Sequence, residues 1–157
     1  MAKLRTLLEE KGEFNGVILT NDPTLQVIPC ELLPPRETLD VLLLMKRLGM
    51  MSPDWALVAS DSYHFFEDKG EEKIIPNLRR GSLEAMFKAG DERVSECLMV
   101  TFYSRTRRFS AMQPYIRLGE GKFIYDEVIN MDDGSSETDN FGGDLPIRLK
   151  ELVGYAG

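Results

Sequence analysis

The residues best able to do chemistry in this chain are Asp61, His64 and Asp68, with Glu67 beside them. They follow an apolar segment at residues 55–59 that predicts a central strand, and open sheets often bind ligands beyond the ends of such strands. On a helical turn, positions 61, 64 and 68 would share one face. Two carboxylates and an imidazole on one face could hold a divalent metal ion and activate a water molecule. If the segment were helical, this constellation would support a metal-dependent hydrolase, which is the alternative function for this chain.

The favoured interpretation of these residues is a surface or hydrogen-bonded histidine beside a solvated charged segment, because the segment has no clear helical pattern. His64 is the only histidine of the 157 residues, and catalytic zinc sites draw several nitrogen or sulfur ligands. Neither Ser60, Ser62 nor the two cysteines lie in a recognised nucleophile motif. Phosphate-binding glycine loops, dinucleotide fingerprints and zinc-protease motifs are also missing from the sequence. The sequence thus favours a protein that is not an enzyme, and it predicts no cofactor.

A second candidate site is an arginine-rich turn between two expected strands. Arg105, Arg107 and Arg108 lie between Tyr103 and Phe109. Arginine beside aromatic side chains is typical of protein-binding hot spots and also of sites for single-stranded nucleic acid. A plainer interpretation is a solvated turn whose arginines pair with the acidic segment of the chain. We favour binding to another protein or to a second copy, with single-stranded nucleic acid as the alternative.

The charge excess of the chain is concentrated in one segment. Net charge is −7, from 26 acidic and 19 basic residues. Residues 126–144 contain seven of the acids and no lysine or arginine, so the rest of the chain is balanced. A balanced surface disfavours duplex nucleic acid, whose binding requires many neutralised phosphates. Residues 130–143 are too highly charged to be buried, which predicts a mobile acidic loop. Docking to a basic partner is the alternative function for this loop. The spacing of its acids does not match a calcium-binding EF-hand.

Length and composition predict a single globular domain over residues 1–157. A chain of this size can bury a core, and a content of 43% hydrophobic and 29% charged residues is typical of folded proteins. The apolar stretches are shorter than the roughly 20 residues that span a bilayer. No signal-peptide pattern occurs, and Cys30 and Cys97 lie far apart without metal-binding spacing. We therefore expect a cytoplasmic protein with two buried free thiols and no membrane partner.

The residue periodicities predict an α+β fold with a mixed or antiparallel sheet, a C-terminal β-meander and about four helices. Helices are expected at residues 3–11, 34–48, 83–89 and 146–153, and strands at 14–20, 25–30, 55–59, 94–104, 109–117 and 122–126. The second helix carries leucines on more than one stripe, which predicts cover on two sides. Ser82 and Gly90 are expected to cap the third helix. Pro114 cannot donate to a ladder, so its strand should lie at a sheet edge or be bulged there.

Residues 81–126 resemble a pattern found in uncharacterised actinobacterial and phage proteins. The resemblance rests on the run GSLEAMFKAGDERVSECLMV and, after a hairpin, on Gln113-Pro114-Tyr115-Ile116-Arg117. Its motif residues, all of structural type, are Gly81, Gly90, Asp91, Glu96, Pro114 and Tyr115. The resemblance covers under a third of the chain and implies no particular activity.

Overall fold

The computed structural model describes residues 2–11, 16–65, 80–119, 121–130 and 145–156, which form an antiparallel sheet and four helices. The helices are α1 (Ala2–Lys11), α2 (Pro35–Arg47), α3 (Arg80–Lys88) and α4 (Leu145–Val153). The strands are β1 (Val17–Thr20), β2 (Val27–Pro29), β3 (Trp55–Phe65), β4 (Val94–Ser104), β5 (Arg108–Gly119), β6 (Lys122–Tyr125) and β7 (Ile129–Asn130). The predicted α+β class is confirmed, and all described pairings are antiparallel.

The strands lie in the order β2-β1-β3-β4-β5-β6, with β7 beside β5. Both predicted units of this sheet are present, the β1–β2 hairpin and the β4–β5–β6 meander. The hairpin turn is tied to the loop before β3, because the buried Asp22 carboxylate accepts backbone N–H groups of Thr24 at 2.9 Å and Ser52 at 2.8 Å. These bonds lower the pKa of Asp22, since they favour its charged form.

Each face of the sheet has its own helical cover, since alternate residues of a strand project to opposite sides. On the α1 face, Leu4 and Leu8 of α1 pack against Ala59, Leu98 and Tyr115. The opposite face, which we call the α2 face, is covered by helices α2 and α4 together. The buried residues of that layer are Ile18, Ala56, Val58 and Tyr103 from the strands and Leu39, Leu42, Leu43, Leu149, Leu152 and Val153 from the helices.

Helix α2 has the expected ends, but only one of its two apolar stripes is covered. Proline stands at its start, and Gly49 follows its end with φ 74°. Its inner residues are buried, yet Val41, Leu44 and Leu48 are 46%, 54% and 66% exposed. The prediction that both of its leucine stripes would be covered is therefore wrong. The sheet lies beneath α2 and α4 contacts its flank, which leaves these three side chains pointing outward.

Pro114 lies inside the sheet, so the prediction of an edge strand or a bulge at that residue is wrong. The β4–β5 register runs unbroken through the pair Cys97 and Pro114. The Pro114 carbonyl accepts the Asp126 N–H at 2.9 Å, and in an antiparallel strand the N–H and C=O of one residue point the same way. The missing N–H therefore falls between β6 and β7. The register shift of β5 lies instead between Arg117 and Gly119.

The other predicted helices are present, and one predicted helix end is wrong. Helix α3 begins at Arg80, so Ser82 lies within it and is not its N-cap, whereas Gly90 ends it with φ 81°. Cys30 and Cys97 are buried free thiols, as predicted. The predicted acidic loop beyond residue 130 lies outside the described residues. Among the residues that are described, no helix is long and apolar enough to cross a membrane.

Candidate functional site

The structure places Asp61 and His64 in a strand and not on the helical turn that would have put them on one face. β3 continues to Phe65 and pairs Asp61 with Leu98 and His64 with Ser95. Residues three apart on a strand project to opposite faces, which puts Asp61 on the α1 face and His64 on the α2 face. Asp68 and Glu67 lie outside the described residues. Within the described ranges, no three His, Cys, Asp or Glu side chains are grouped to hold a metal ion.

The surroundings of His64 favour the neutral form of its imidazole. Burial lowers the pKa of the imidazole, because removal from water disfavours the charged ring. Asp61, the carboxylate expected to accompany it, lies across the sheet. The two residues therefore do not form the acid–base or metal-binding pair that their spacing suggested.

Asp61 belongs instead to a polar network that the sequence analysis did not identify. The Tyr115 hydroxyl donates to Asp61 Oδ1 at 2.6 Å. Arg117 Nε lies 2.9 and 3.1 Å from the two carboxylate oxygens of Glu96, and its guanidinium lies 3.8 Å from Asp61. These four side chains come from β3, β4 and β5 on the α1 face. One arginine thus joins two carboxylates and ties three neighbouring strands together.

The chemistry of this network is that of a structural tie. Burial, together with the Asp61 carboxylate, raises the pKa of Tyr115, so the phenol stays a hydrogen-bond donor. The hydrogen bond to Glu96 raises the pKa of Arg117. A general acid or base needs a pKa near the working pH, and both shifts move away from it. The guanidinium also lies over the rings of Tyr115 and Phe123, 5.7 and 5.5 Å from their centroids.

The predicted arginine hairpin is present, but its Tyr103 is not part of the surface. The ring is 2% exposed and packs edge-on against Tyr155 at a centroid distance of 5.3 Å. The Lys150 ammonium lies over the Tyr103 ring, 5.8 Å from its centroid. Tyr103 therefore anchors the hairpin to α4 and the residues that follow it. Its inclusion among the partner-binding residues was wrong.

The arginines of the hairpin differ in their surroundings. Arg105 pairs with Asp54 at 2.8 Å, and Asp54 belongs to the loop before β3 and not to the acidic segment. Arg107 is exposed, Arg108 is half-buried at the start of β5, and Phe109 is 39% exposed. The surface that remains at this turn is thus smaller than the sequence suggested.

Phe109 ends a row of apolar side chains on the α1 face, which we call the cross-strand row. The strand registers align its five members across five strands: Val27, Leu19, Leu57, Phe102 and Phe109. Trp55 lies beside the row, with its ring centroid 5.9 Å from that of Phe102. Val27 is exposed and the three middle members are half-buried. The row borders the hairpin, so aromatic and basic side chains meet at one end of the sheet.

A larger apolar surface lies on the other side of the molecule, where Val41, Leu44 and Leu48 form the outer stripe of α2. Their spacing of three and four residues puts them on one side of the helix. Met50, just beyond the helix, and Ile147 on α4 are also exposed. Together these five side chains expose on the order of 500 Å² of surface, about 300 Å² of it on the stripe itself, which approaches the size of the largest apolar patch on a typical monomer.

Ion pairs between α2 and α4 border the outer stripe on one side. Asp40 accepts a hydrogen bond from Arg148 Nε at 2.8 Å. Arg47 pairs with Glu151 at 3.0 Å, and Lys46 Nζ donates to the Glu151 carbonyl at 2.7 Å. An apolar centre with a charged border is the usual anatomy of a protein–protein interface.

No family model, curated protein or solved structure matches this chain. The resemblance of residues 81–126 to actinobacterial and phage proteins accordingly stays a prediction. Two of its motif residues, Glu96 and Tyr115, are members of the polar network, where both are buried. The chemistry and the surfaces of the described residues are therefore the basis for a functional proposal.

Proposed function

We propose that this chain is a non-enzymatic cytoplasmic protein that works through contacts with protein chains. The observation that supports the proposal most strongly is the outer stripe of α2. Three large aliphatic side chains face water on a helix whose opposite side already fills the core. Exposed apolar patches of this size commonly mark interaction sites.

The outer stripe is not needed to hold α2 in the fold. Leu39, Leu42 and Leu43 bury the inner side of the helix, and the ion pairs attach its flank to α4. Covering the stripe together with Met50 and Ile147, about 500 Å² of apolar surface, is worth on the order of 10 kcal/mol before the costs of association. A partner that covers this surface would therefore gain a free energy comparable in size to the costs of association, to which contacts with the charged border would add.

The arginine hairpin contributes to the proposal as a second, smaller contact surface. Arg107 and Phe109 combine an exposed charge with a partly exposed ring, a composition enriched at binding hot spots. A metal-dependent hydrolase gains no comparable support, because Asp61 and His64 lie on opposite faces of β3.

The double substitution Leu44→Glu with Leu48→Glu tests the proposal. We expect it to reduce the recovery of a bound protein at least tenfold, because two carboxylates would have to be buried at the contact. A tagged chain and an untagged copy are produced in one cell, and every co-purified chain, own or foreign, is quantified by mass spectrometry. Amide hydrogen exchange on the reconstituted complex then shows whether α2 is protected.

The matched control is Ile116→Glu with Leu118→Glu, because those two side chains of β5 are also exposed. This variant is expected to keep the partner. Equal recovery with the α2 variant and the control would contradict the assignment of the binding surface to the outer stripe. Circular dichroism and thermal unfolding establish that both variants are folded.

A second candidate function is binding of single-stranded nucleic acid, which the cross-strand row favours. Trp55, Phe102 and Phe109 lie on one sheet face next to Arg107, and bases can stack on such rings. The net charge of −7 opposes this function. If it is correct, Phe109→Ala should weaken binding of a fluorescent oligonucleotide about tenfold, and added salt should weaken wild-type binding. Absence of binding at low salt would eliminate this candidate.

A further inference from the structure

We propose that the outer stripe binds a second copy of this chain, with the two α2 helices antiparallel about a two-fold axis near Leu44. This inference rests on the proposed function and specifies its partner. It is supported by the spacing of the stripe, the order of the charges along its border and the area of the exposed face.

The spacing of the stripe suits the packing of a helix against an identical helix. Val41, Leu44 and Leu48 follow the three-and-four spacing of a coiled-coil seam. With a two-fold axis near Leu44, this residue meets its own counterpart, and Val41 lies opposite Leu48 of the second copy. The apolar side chains of the two helices then meet along the full length of the stripe.

The charges along the border select the antiparallel orientation. Asp40 and Arg47 lie on the same side of the stripe, the side facing α4, because both form ion pairs with that helix. In an antiparallel pair, this side of one helix faces the same side of the other helix. Asp40 then lies near Arg47 of the second copy, and Arg47 lies near Asp40 of the second copy. In a parallel pair, the side that carries Asp40 and Arg47 would face the other border of the stripe on the second helix. That border carries Thr38 and Met45, which have no charge. Charge complementarity therefore exists in the antiparallel orientation.

The exposed face is large enough for a stable pair. A standard interface buries about 800 Å² on each partner. The outer stripe with Met50 and Ile147 supplies on the order of 500 Å², and the ion-paired residues of α2 and α4 at its border bring the face to roughly that standard. These border residues are mostly exposed, with side-chain values of 54% for Asp40 and 68% for Arg47, so they can face a second copy while keeping their partners on α4.

Sedimentation equilibrium tests the pairing. The wild-type chain is expected to have an apparent molecular mass twice the 17.8 kDa of one chain. Leu44→Glu should raise the dissociation constant of the dimer at least 100-fold, because it brings two carboxylates together at the two-fold axis. Leu118→Glu, at a residue 59% exposed on β5, should remain a dimer. A thermal melt that matches that of Leu118→Glu shows that the Leu44→Glu chain is folded.

Disulfide cross-linking tests the orientation. In the antiparallel pair, Leu44→Cys should cross-link with itself on mild oxidation. Val41→Cys should cross-link with Leu48→Cys but not with itself, since its two copies are separated by about 10 Å along the helix axis. In a parallel pair each of the three variants would cross-link with itself, which would overturn the proposed geometry. The native thiols, Cys30 and Cys97, are buried and leave the introduced cysteine as the reactive one.

The outcomes separate this inference from the proposed function. If the wild-type chain stays monomeric at high concentration, the inference that its partner is a second copy is overturned. The proposed function is then decided separately, by whether a foreign protein co-purifies through the outer stripe. A dimer that persists in Leu44→Glu and in Leu48→Glu overturns the inference, because the contact then lies elsewhere. If, in addition, the double α2 variant keeps every co-purified chain, the proposed surface fails as well.

Discussion

Replacing Leu39 with alanine is expected to lower the free energy of unfolding by about 3 kcal/mol, whereas the same replacement at Leu44 should lower it by less than about 0.5 kcal/mol. Both leucines lie on α2. Leu39 is 0% exposed in the core shared with the sheet and α4, so its truncation leaves a cavity that the surrounding side chains fill only in part. Leu44 is 54% exposed, and its truncation removes little burial within the chain.

Urea unfolding followed by the fluorescence of Trp55, the single tryptophan of the chain, measures both changes. The comparison is made well below the concentration at which the chain associates, because an interface would add to the apparent stability. A loss at Leu44 as large as that at Leu39 would mean that the outer stripe is core. Both interaction proposals would then lose their main support.

The second large effect is expected at the polar network. Arg117→Met should lower the free energy of unfolding by about 2 kcal/mol, a value below that of a fully buried ion pair because Arg117 is partly exposed. The substitution leaves the Glu96 carboxylate, whose side chain is only 9% exposed, without its charged partner. It also removes the guanidinium from the rings of Tyr115 and Phe123. The matched variant Arg107→Met, at an exposed turn, should change stability by less than about 0.5 kcal/mol.

The double variant Glu96→Gln with Arg117→Met identifies the cause. If the loss arises from an unpaired buried carboxylate, the neutral amide should recover part of it in urea unfolding at pH 7. If the double variant is no more stable than Arg117→Met, the loss comes from ring contacts and packing. A network that tolerates Arg117→Met without any loss would contradict its role as a tie between β3, β4 and β5.

Local signals in the sequence were sufficient for most elements of the fold. Proline at the start of α2 and Gly49 after its end mark that helix, since proline is compatible with a first helical turn and glycine adopts positive φ at little cost. The strand at residues 94–104 was predicted with the bounds that β4 has in the structure. β3 was predicted too short because Asp61 and His64 are polar. Pairing along the full length of β4 keeps these residues in the strand.

The candidate sites depended on contacts that no local pattern contains. Tyr103 looks like part of a surface turn in the sequence, yet Tyr155, 52 positions further along the chain, packs against its ring. Leucines occur both on the outer stripe of α2 and on its core side, so composition could not tell which side would be covered. That choice is made by the sheet and by α4, through Leu149 and Leu152 on the inner side.

The sequence by itself determined the α+β class, the bounds of the main helices and the hairpin and meander units, because helix caps, turns and residue periodicity act over a few neighbouring positions. Only the tertiary structure decided that Asp61 and His64 separate to opposite faces, that Asp61, Glu96, Tyr115 and Arg117 meet, and that α2 keeps an apolar stripe toward water. Strand register and helix packing bring together residues distant in the chain. Their free energies are summed over the whole fold and cannot be assigned to any short segment.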